Sequence, residues 1–540
     1  LKGGDILNDK GQSIIDRTIF QINTERRNRM KKTIILAILL TLAAFLFLSE
    51  GMASAAAKGK IVIAQGAETT TLDPHKGGSA IFVNACLTMY DLLMRVDREG
   101  KRRLALATSY KSIDPVTWEF KLRKGVKFHN GDPLTASDVK FSYDRMRDPK
   151  TKYPFRVFYR GIKEVQVIDD YTVRIITKKP DPVLPARSAF GSFIVPEKYI
   201  KEHGDEYFAK HPIGSGRYKF VKWVKNDYVE LEANEDYWGD RPATIKKLIF
   251  KTIPETGSRI AALETGEVDI ATNVPPFMIP KLKKDPNIDV ISGPSGRVIF
   301  IGFNLTKPEK AGPLMKKEVR QAINYAVDKQ SLIKYVLMGS GEQLATPLIP
   351  LAFGYDPSIK PYPYDPEKAK KILKEAGYPN GFETEFATGS GRYLMDKQIA
   401  EAISGMLAKV GIKARLKVYE WGKYEQVRKA HRVEPLYLLG WGNTMSDADG
   451  TLLPLFFSKS KYSNYVNPTL DKMMLSARYQ MDPEKRKAQY SEILKLIKDE
   501  APWIFLYQQM DNYGVRDTVA NFKQSAGSER MDCDVLKLSR

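Results

Sequence analysis

The sequence predicts a multi-lobed α/β protein whose sheets mix parallel and antiparallel strands. Three observations lead there. The chain has 540 residues, more than one hydrophobic core ordinarily serves. From about residue 300 onward, strand patterns alternate with helices opened by Asp-Pro and closed by Gly. Before that, paired alternating runs around residues 160 to 235 read as hairpins, so strand direction is mixed. Apolar residues at 43% and charged residues at 28% fit a folded, soluble chain.

The elements follow in order. "RRNRMKK" is basic, residues 33–48 are uncharged and apolar, and "SEGMASAAAKGK" is rich in small residues with Ala-x-Ala at Ala53/Ala55 and Ala55/Ala57. This is the layout of a cleavable secretory signal peptide, and the apolar run is short for a membrane span. Position 1 is Leu, so translation is expected to begin at Met30, with 1–29 an upstream extension, 30–57 the signal peptide and the mature chain from 58. Neither Cys86 nor Cys533 stands at the cleavage site, so a periplasmic protein that is not a lipoprotein is expected. A disulfide between them stays open.

"IVIAQ" reads as a buried strand, and "NACLTMYDLLMRVD" as a helix with Leu87, Tyr90, Leu93 and Met94 on one face. "TWEFKLR" alternates as a strand, and Asn130-Gly131 marks a turn. Thr135 followed by Asp138 opens a helix as an N-cap with an acid in its first turn. "VQVIDDYTVRIIT" is a hairpin turning at Asp169-Asp170. Gly214 and Gly216 allow a tight turn before two further strands. Val319, Ala322, Ile323, Ala326 and Val327 share one helical face, and Asp328 caps a helix stopping at Gly339. Asp365 caps a helix that ends at Gly377, and a third helix buries Ile399, Ile403, Met406, Leu407 and Val410 before Gly411. "IKARLKV" is a strand, "DPEKRKAQYSEILKLIKDE" a helix and "PWIFLY" a strand.

The search for chemistry excludes more than it finds. A net charge of +21 raises nucleic acid as a partner, but no run of five basic residues occurs, and lysines interleave with acids. The charge suits an exported protein that meets anionic ligands or surfaces. The five histidines show no metal-ligand spacing, and there is no Gly-x-Ser-x-Gly elbow. His129 beside Asp132 and Asp138 reads as scaffold: Asp138 belongs to the helix start and no nucleophile is near. "DADG" at 447–450 lacks the rest of a calcium loop. No catalytic residue, metal or cofactor is expected. A secreted hydrolase with dispersed carboxylates and a peptide-holding chaperone are the readings from other classes. Trp421, Tyr424 and Trp441, the last flanked by Gly440 and Gly442, sit at strand ends, where aromatic side chains wall either a ligand pocket or a core.

Taken in order, "ETTTLDPH", "WEFKLRKGVKFHNGDPLTASDVKFSYDRM", "HPIGSGRYKFVKW", "ANEDYWG", "ALETGEVDI", "VRQAINYAVDKQSLI", "DPEKAKKILKEAGY" and "APWIFLY" resemble the motifs of a known family. These are the solute-binding proteins, family 5, of dipeptide, oligopeptide and nickel-type ABC importers. The resemblance implies a periplasmic binding protein clamp, type II-like and of the large cluster C kind, with two mixed-sheet α/β lobes plus an additional lobe. It implies lobe I at 58–82, 211–298 and 506–540, lobe II at 83–210, and lobe III at 299–505. The lobes would close on a short peptide or peptide-like solute, and the monomer would deliver it to permease subunits in the inner membrane. The alternative is a metal chelate, opine or sugar conjugate in the same role. Glu68, Thr69 and Thr70 would line the pocket, with Trp421, Trp441 and Gly442 as walls. Peptide-binding members carry an Asp at the place of Thr444, where it pairs with the α-ammonium group. Thr supplies no counter-charge, so Asp447 or Glu68 would have to replace it.

Overall fold

The computed structural model describes residues 59–539 apart from 70, 78, 79, 391, 444, 526–530, 532, 534 and 535. The signal-peptide segment, Thr70 and Thr444 lie outside the described residues.

Strand β1 (Lys60–Gln65) is the apolar "IVIAQ" run, followed by helix α1 (Ala80–Met89). The expected helical face extended to Met94, but α1 stops at Met89, and Met94–Val96 is a short strand. The reason is tertiary. The Met89 carbonyl accepts the Gly216 N–H at 2.9 Å, so a distant loop closes the helix end. A Cβ on Gly214 would lie 2.0 Å from the Met89 oxygen, and one on Gly216 2.5 Å from the Thr88 oxygen. Neither glycine has positive φ, so close approach rather than turn conformation requires them. His129 pins the same loop. Its Nε2 bonds the Gly216 carbonyl at 2.9 Å, and its Nδ1 accepts from the Gly214 N–H at 3.3 Å.

Strands β2 (Ala107–Asp114), β3 (Thr117–Leu122), β4 (Ile162–Asp169) and β5 (Thr172–Thr177) form an antiparallel sheet in the order β2-β3-β5-β4. Helix α2 (Ala136–Arg147) opens with the capping box read from the sequence: Thr135 is the N-cap and Asp138 accepts its backbone N–H at 2.9 Å. Asp138 also accepts the Glu197 N–H at 3.0 Å. From its last turn, α2 sends Arg145 into the "LDPH" motif. Arg145 meets Asp73 with two bonds of 2.8 and 2.5 Å and reaches Asp205 at 2.9 Å. Asp73 is fully buried, and its Oδ1 also takes the His75 N–H at 2.9 Å. The amino-terminal motif and the longest motif of the sequence thus share one buried ion pair.

Apart from two small two-stranded pairs, ten further strands join β1 in an 11-stranded sheet. They are β6 (Tyr218–Val224), β7 (Tyr228–Ala233), β8 (Lys247–Thr252), β9 (Ile270–Ala271), β10 (Ile288–Phe303), β11 (Gly341–Gln343), β12 (Phe382–Gly389), β13 (Ile412–Tyr419), β14 (Leu436–Gly442) and β15 (Trp503–Arg516). The order is β13-β12-β14-β10-β15-β9-β1-β8-β7-β6, with β11 added on β15. β1 is parallel to β8 and β9, β12 is parallel to β13 and β14, and β10 is antiparallel to β14 and β15. The mixed α/β class is therefore the observed one. β10 and β15 are long enough to pair twice, 288–294 against 510–516 and 298–302 against 503–508, with a register shift between Pro294 and Val298. Around the second half lies the largest core, which includes the buried helical faces expected from the sequence: Val319, Ala322 and Ile323, and Ile399, Ile403 and Leu407, all at 0% exposure. A second core packs β1, α1, β8 and the end of β15. A third lies under the four-stranded sheet and takes in Met445.

Replacing Asp73 by Asn should leave Arg145 buried beside one half-exposed acid, and breaking such a pair costs about 3–5 kcal/mol; urea unfolding of D73N against wild type measures it. Burial, with the nearby Arg145 adding to it, lowers the His75 pKa to about 4. The unfolded chain then binds a proton near pH 6.5 that the folded chain refuses until about 4. Stability should therefore fall as pH drops across that window, by on the order of 3 kcal/mol from this group. Unfolding curves at pH 7 and 4.5 read the loss, which His75→Gln should reduce.

Candidate functional site

The site is a cavity of about 450 Å³ where the middle of β10 and the end of β14 face Phe155, Phe158 and Phe190. The register sets its floor. Arg297 pairs with Gly442, Val298 with Trp441 and Ile299 with Gly440. Gly440 must be glycine, because a Cβ there would lie 2.6 Å from the Tyr393 ring. Tyr393 fills that space and donates its hydroxyl to the Gly440 carbonyl at 3.1 Å. Its ring is flanked by two guanidinium groups, Arg297 at 5.0 Å and Arg392 at 5.3 Å. Arg392 also lies 5.6 Å from the Trp421 ring, which meets Tyr393 edge-on at 5.6 Å.

Past the longer helices α3 (Thr256–Thr265), α4 (Lys317–Ala326), α5 (Pro366–Glu375) and α6 (Asp396–Ala408), Trp421 is the first residue of α7 (Trp421–Lys429). The Glu420 side chain caps α7 by accepting from the Gly422 and Lys423 N–H groups at 2.8 and 3.0 Å. One face of α7 points Glu425 and Arg428 at the cavity. They form a two-pronged pair at 2.8 and 3.0 Å, and Lys429 adds a contact at 3.1 Å. Burial works against the Glu425 carboxylate, but its bonds to Arg428 and the charge of Lys429 hold its pKa below the ordinary range, so it stays ionised. Trp441 donates its indole N–H to the Gly450 carbonyl at 2.9 Å and meets Tyr462 at 5.5 Å. The opposite wall is apolar: Phe155, Phe158 and Phe190, with Phe155 and Phe190 edge-on at 4.9 Å.

Of the residues named from the sequence, Trp421, Trp441 and Gly442 line this cavity. Thr69 is buried, and Glu68 is half-buried with its Oε1 accepting the Asn226 N–H at 2.5 Å; neither is among the lining residues. Tyr424 is fully buried behind the wall and donates to the Leu438 carbonyl at 2.6 Å. Asp447 is buried in a fork with Arg486, at 2.9 and 2.6 Å. Its neighbour Asp449 starts helix α8 (Asp449–Phe456) and faces Arg187 at 3.5 Å and Arg478 at 3.7 Å. Burial pushes the Asp449 carboxyl up, and the surrounding arginines outweigh it and hold it below the usual range. The "DADG" acids are therefore engaged with arginines. Among the described residues, no group of three or more His, Cys, Asp or Glu side chains is placed to hold a metal. Among the cavity residues that sequence reasoning missed are Arg297, Arg392, Tyr393, Glu425 and Arg428. The first two arginines carried only a faint signal: an Arg beside glycines in "GPSGRVIF", within β10, and in "GSGRYLMD", just past the end of β12.

The fork makes Asp447 a structural acid. Asp447→Asn should cost about 3–5 kcal/mol in urea unfolding by stranding the buried Arg486 guanidinium, a larger loss than any loss of affinity. A variant that unfolds like wild type but loses its ligand would overturn this placement.

Comparison with known proteins agrees with the geometry. The model of "Bacterial extracellular solute-binding proteins, family 5 Middle" matches residues 101–463. The glutathione-binding protein GsiB of Shigella boydii serotype 4 (strain Sb227) is 32% identical over 470 residues, covering 84% of this chain and 90% of that protein. The structure of the ABC transporter-associated periplasmic binding protein DppA from Helicobacter pylori, in complex with peptide STSA, superposes with a TM-score of 0.80 at 29% identity, covering 89% of this chain and 98% of that one. The binding protein AgaA from A. tumefaciens R10, in complex with agropinic acid, gives 0.79 at 27% identity, covering 89% and 99%. The motif order, the clamp-type sheet and these matches converge: the chain belongs to family 5 of the bacterial extracellular solute-binding proteins.

Proposed function

We propose that this protein is the solute receptor of an ABC importer, capturing a short peptide or peptide-like solute in the cavity at Trp441 and presenting it to permease subunits in the membrane. The observation that carries this reading is the cavity itself: about 450 Å³, lined by polar and aromatic side chains from distant parts of the chain, in a member of a solute-binding family. The relatives point to small, polar solutes: GsiB is named for glutathione, and DppA holds a tetrapeptide. The chain is read as a periplasmic monomer, released by removal of 30–57 and without a lipid anchor. Lobe I would comprise 58–82, 211–298 and 506–540, lobe II 83–210, and lobe III 299–505, with closure driven by contacts the ligand makes only when they meet. The reading involves no catalysis, cofactor or nucleic acid.

A second reading, the same role for a non-peptide solute, is favoured by one specific observation. Asp447, the acid three residues after Thr444, is taken by Arg486, and AgaA holds agropinic acid on this fold.

A thermal-shift screen of the chain from residue 58 tests both. A true ligand at a hundred times its dissociation constant should add about 2.7 kcal/mol of stability. Trp441→Ala should weaken that ligand by about 1–3 kcal/mol, through lost aromatic burial, in calorimetric titration. His129→Ala should destabilise the fold, as its loop bonds are lost, and leave the affinity within twofold.

A further inference from the structure

A second cavity, of about 850 Å³, shares no lining residue with the one at Trp441. The two use the same stretch of chain: Phe155 and Phe158 line the first, Arg156, Val157 and Arg160 the second. The end of α2, the start of β4, the residues after β5 and the end of helix α9 (Pro468–Tyr479) complete the second. Among its described lining residues, Arg147, Arg156, Arg160, Lys178, Lys179 and Arg478 are cationic. The lining acids are already engaged. Asp144 takes Lys140 and Arg147, Asp148 accepts the Lys150 N–H at 2.9 Å, and Asp181 pairs with Arg187. Among the described residues, Arg156, Arg160, Lys178 and Lys179 have no carboxylate at ion-pair distance. Their contacts are neutral: Arg156 donates to the Arg147 carbonyl at 2.7 Å, Lys178 to the Arg160 carbonyl at 3.2 Å, and Lys179 lies 5.0 Å from the Tyr479 ring. Arg478 is the buried member. It is 8% exposed and donates no hydrogen bond among the described residues, and its ion contact, Asp449 at 3.7 Å, is shared with Arg187. Burial and the charges of Arg478 and Arg156 lower the Arg160 pKa, so three guanidinium groups crowd one another here. Such crowding is unfavourable unless an anion is brought to it.

We propose that this second cavity binds a phosphate-bearing anion, held by Arg156, Arg160, Lys179 and Arg478, at a site separate from the solute cavity. The proposal stands independently of the receptor reading. A phosphate group gathers about two negative charges and several acceptor oxygens at one point, which cations on different elements can reach together. Guanidinium groups offer it paired donors, and a lysine offers a point charge. A carboxylate carries less charge and leaves more of the cluster unanswered. Val157, Leu453 and Phe457 give the cavity an apolar side that suits the organic part of a phosphate ester. Free polyphosphates and the headgroups of acidic phospholipids share this chemistry. An anion held in this way ties the segment before β4 to α9, and that segment carries Phe155 and Phe158 of the solute cavity.

The test is calorimetric titration of the chain from residue 58 with pyrophosphate and tripolyphosphate, with acetate as the reference anion. A single equivalent of pyrophosphate should bind, at least tenfold tighter than acetate, and raising the salt should weaken it. Arg160→Gln together with Lys179→Gln, both at exposed positions where folding is least at risk, should lower that affinity at least tenfold. Lys225→Gln together with Lys284→Gln removes the same charge from exposed positions outside the cavity and should leave it within twofold. Trp441→Ala should leave it within twofold as well. Flotation with cardiolipin vesicles against phosphatidylcholine vesicles separates the two sources. Cardiolipin-dependent binding that the first pair of substitutions abolishes and the second keeps, without uptake of pyrophosphate, assigns the site to a lipid headgroup. Binding of neither pyrophosphate nor cardiolipin would overturn the proposal. So would equal losses in the two double variants, which mean general attraction to a basic protein, or a tenfold loss in Trp441→Ala, which moves the anion to the solute cavity.

Discussion

The antiparallel pairing of β10 and β15 is the constraint on which the rest of the molecule hangs. Each strand pairs with the other on both sides of a register break at 294–298. On one side the sheet continues through β9 to β1, and on the other through β14 to β12. The break falls at Ser295 and Arg297, and Arg297 lines the cavity. Ser295 Oγ accepts the Arg297 N–H at 3.0 Å, and the Ser295 carbonyl takes the Gln508 amide at 2.6 Å. A ladder that bends there keeps its backbone groups satisfied while aiming a guanidinium sideways. The same strands that join the two parts of the sheet therefore also place the first cationic group of the site.

Around that junction, several buried charges are answered by buried charges. Asp73 and Arg145 tie the amino-terminal motif to α2, Asp447 holds Arg486, and Arg187 lies between Asp181 at 2.5 Å and Asp449. Ion pairs of this sort contribute little net stability over a well-packed apolar core, but losing one partner is expensive. They set which segments sit together. The cavity wall adds a further shared pair, Glu425 with Arg428 and Lys429.

Much of the fold was legible in the chain itself, because it is written in local rules. The Asp365 cap with Pro366 behind it, the Asp482 cap, the Thr135–Asp138 box and the buried faces of α4 and α6 all appear where the periodicity put them. Where local rules stop, so did the reading. The end of α1 is decided by Gly216 reaching it from over a hundred residues away, and the glycines of that loop serve contact rather than turn geometry. Trp441 and Trp421 stand out as aromatic residues at strand ends. Arg297 and Arg392 do not stand out in a chain with 85 basic residues, since nothing local distinguishes a guanidinium that lines a cavity from one in solvent.

The sequence by itself determined the α/β class and most of the elements, which are carried by spacing along the chain, and its ordered motifs carried the resemblance to the family. Only the tertiary structure decided which charges meet. Asp447 looked available to a ligand until Arg486, 39 positions away, was seen to occupy it. The cavity itself is assembled from Arg297, Tyr393, Arg428 and Trp441, which share nothing until β10, β14 and α7 meet the loop after β12. Periodicity is a property of neighbours, and it survives in one dimension. Electrostatic pairing falls off with distance in space, so it exists only once the chain is folded.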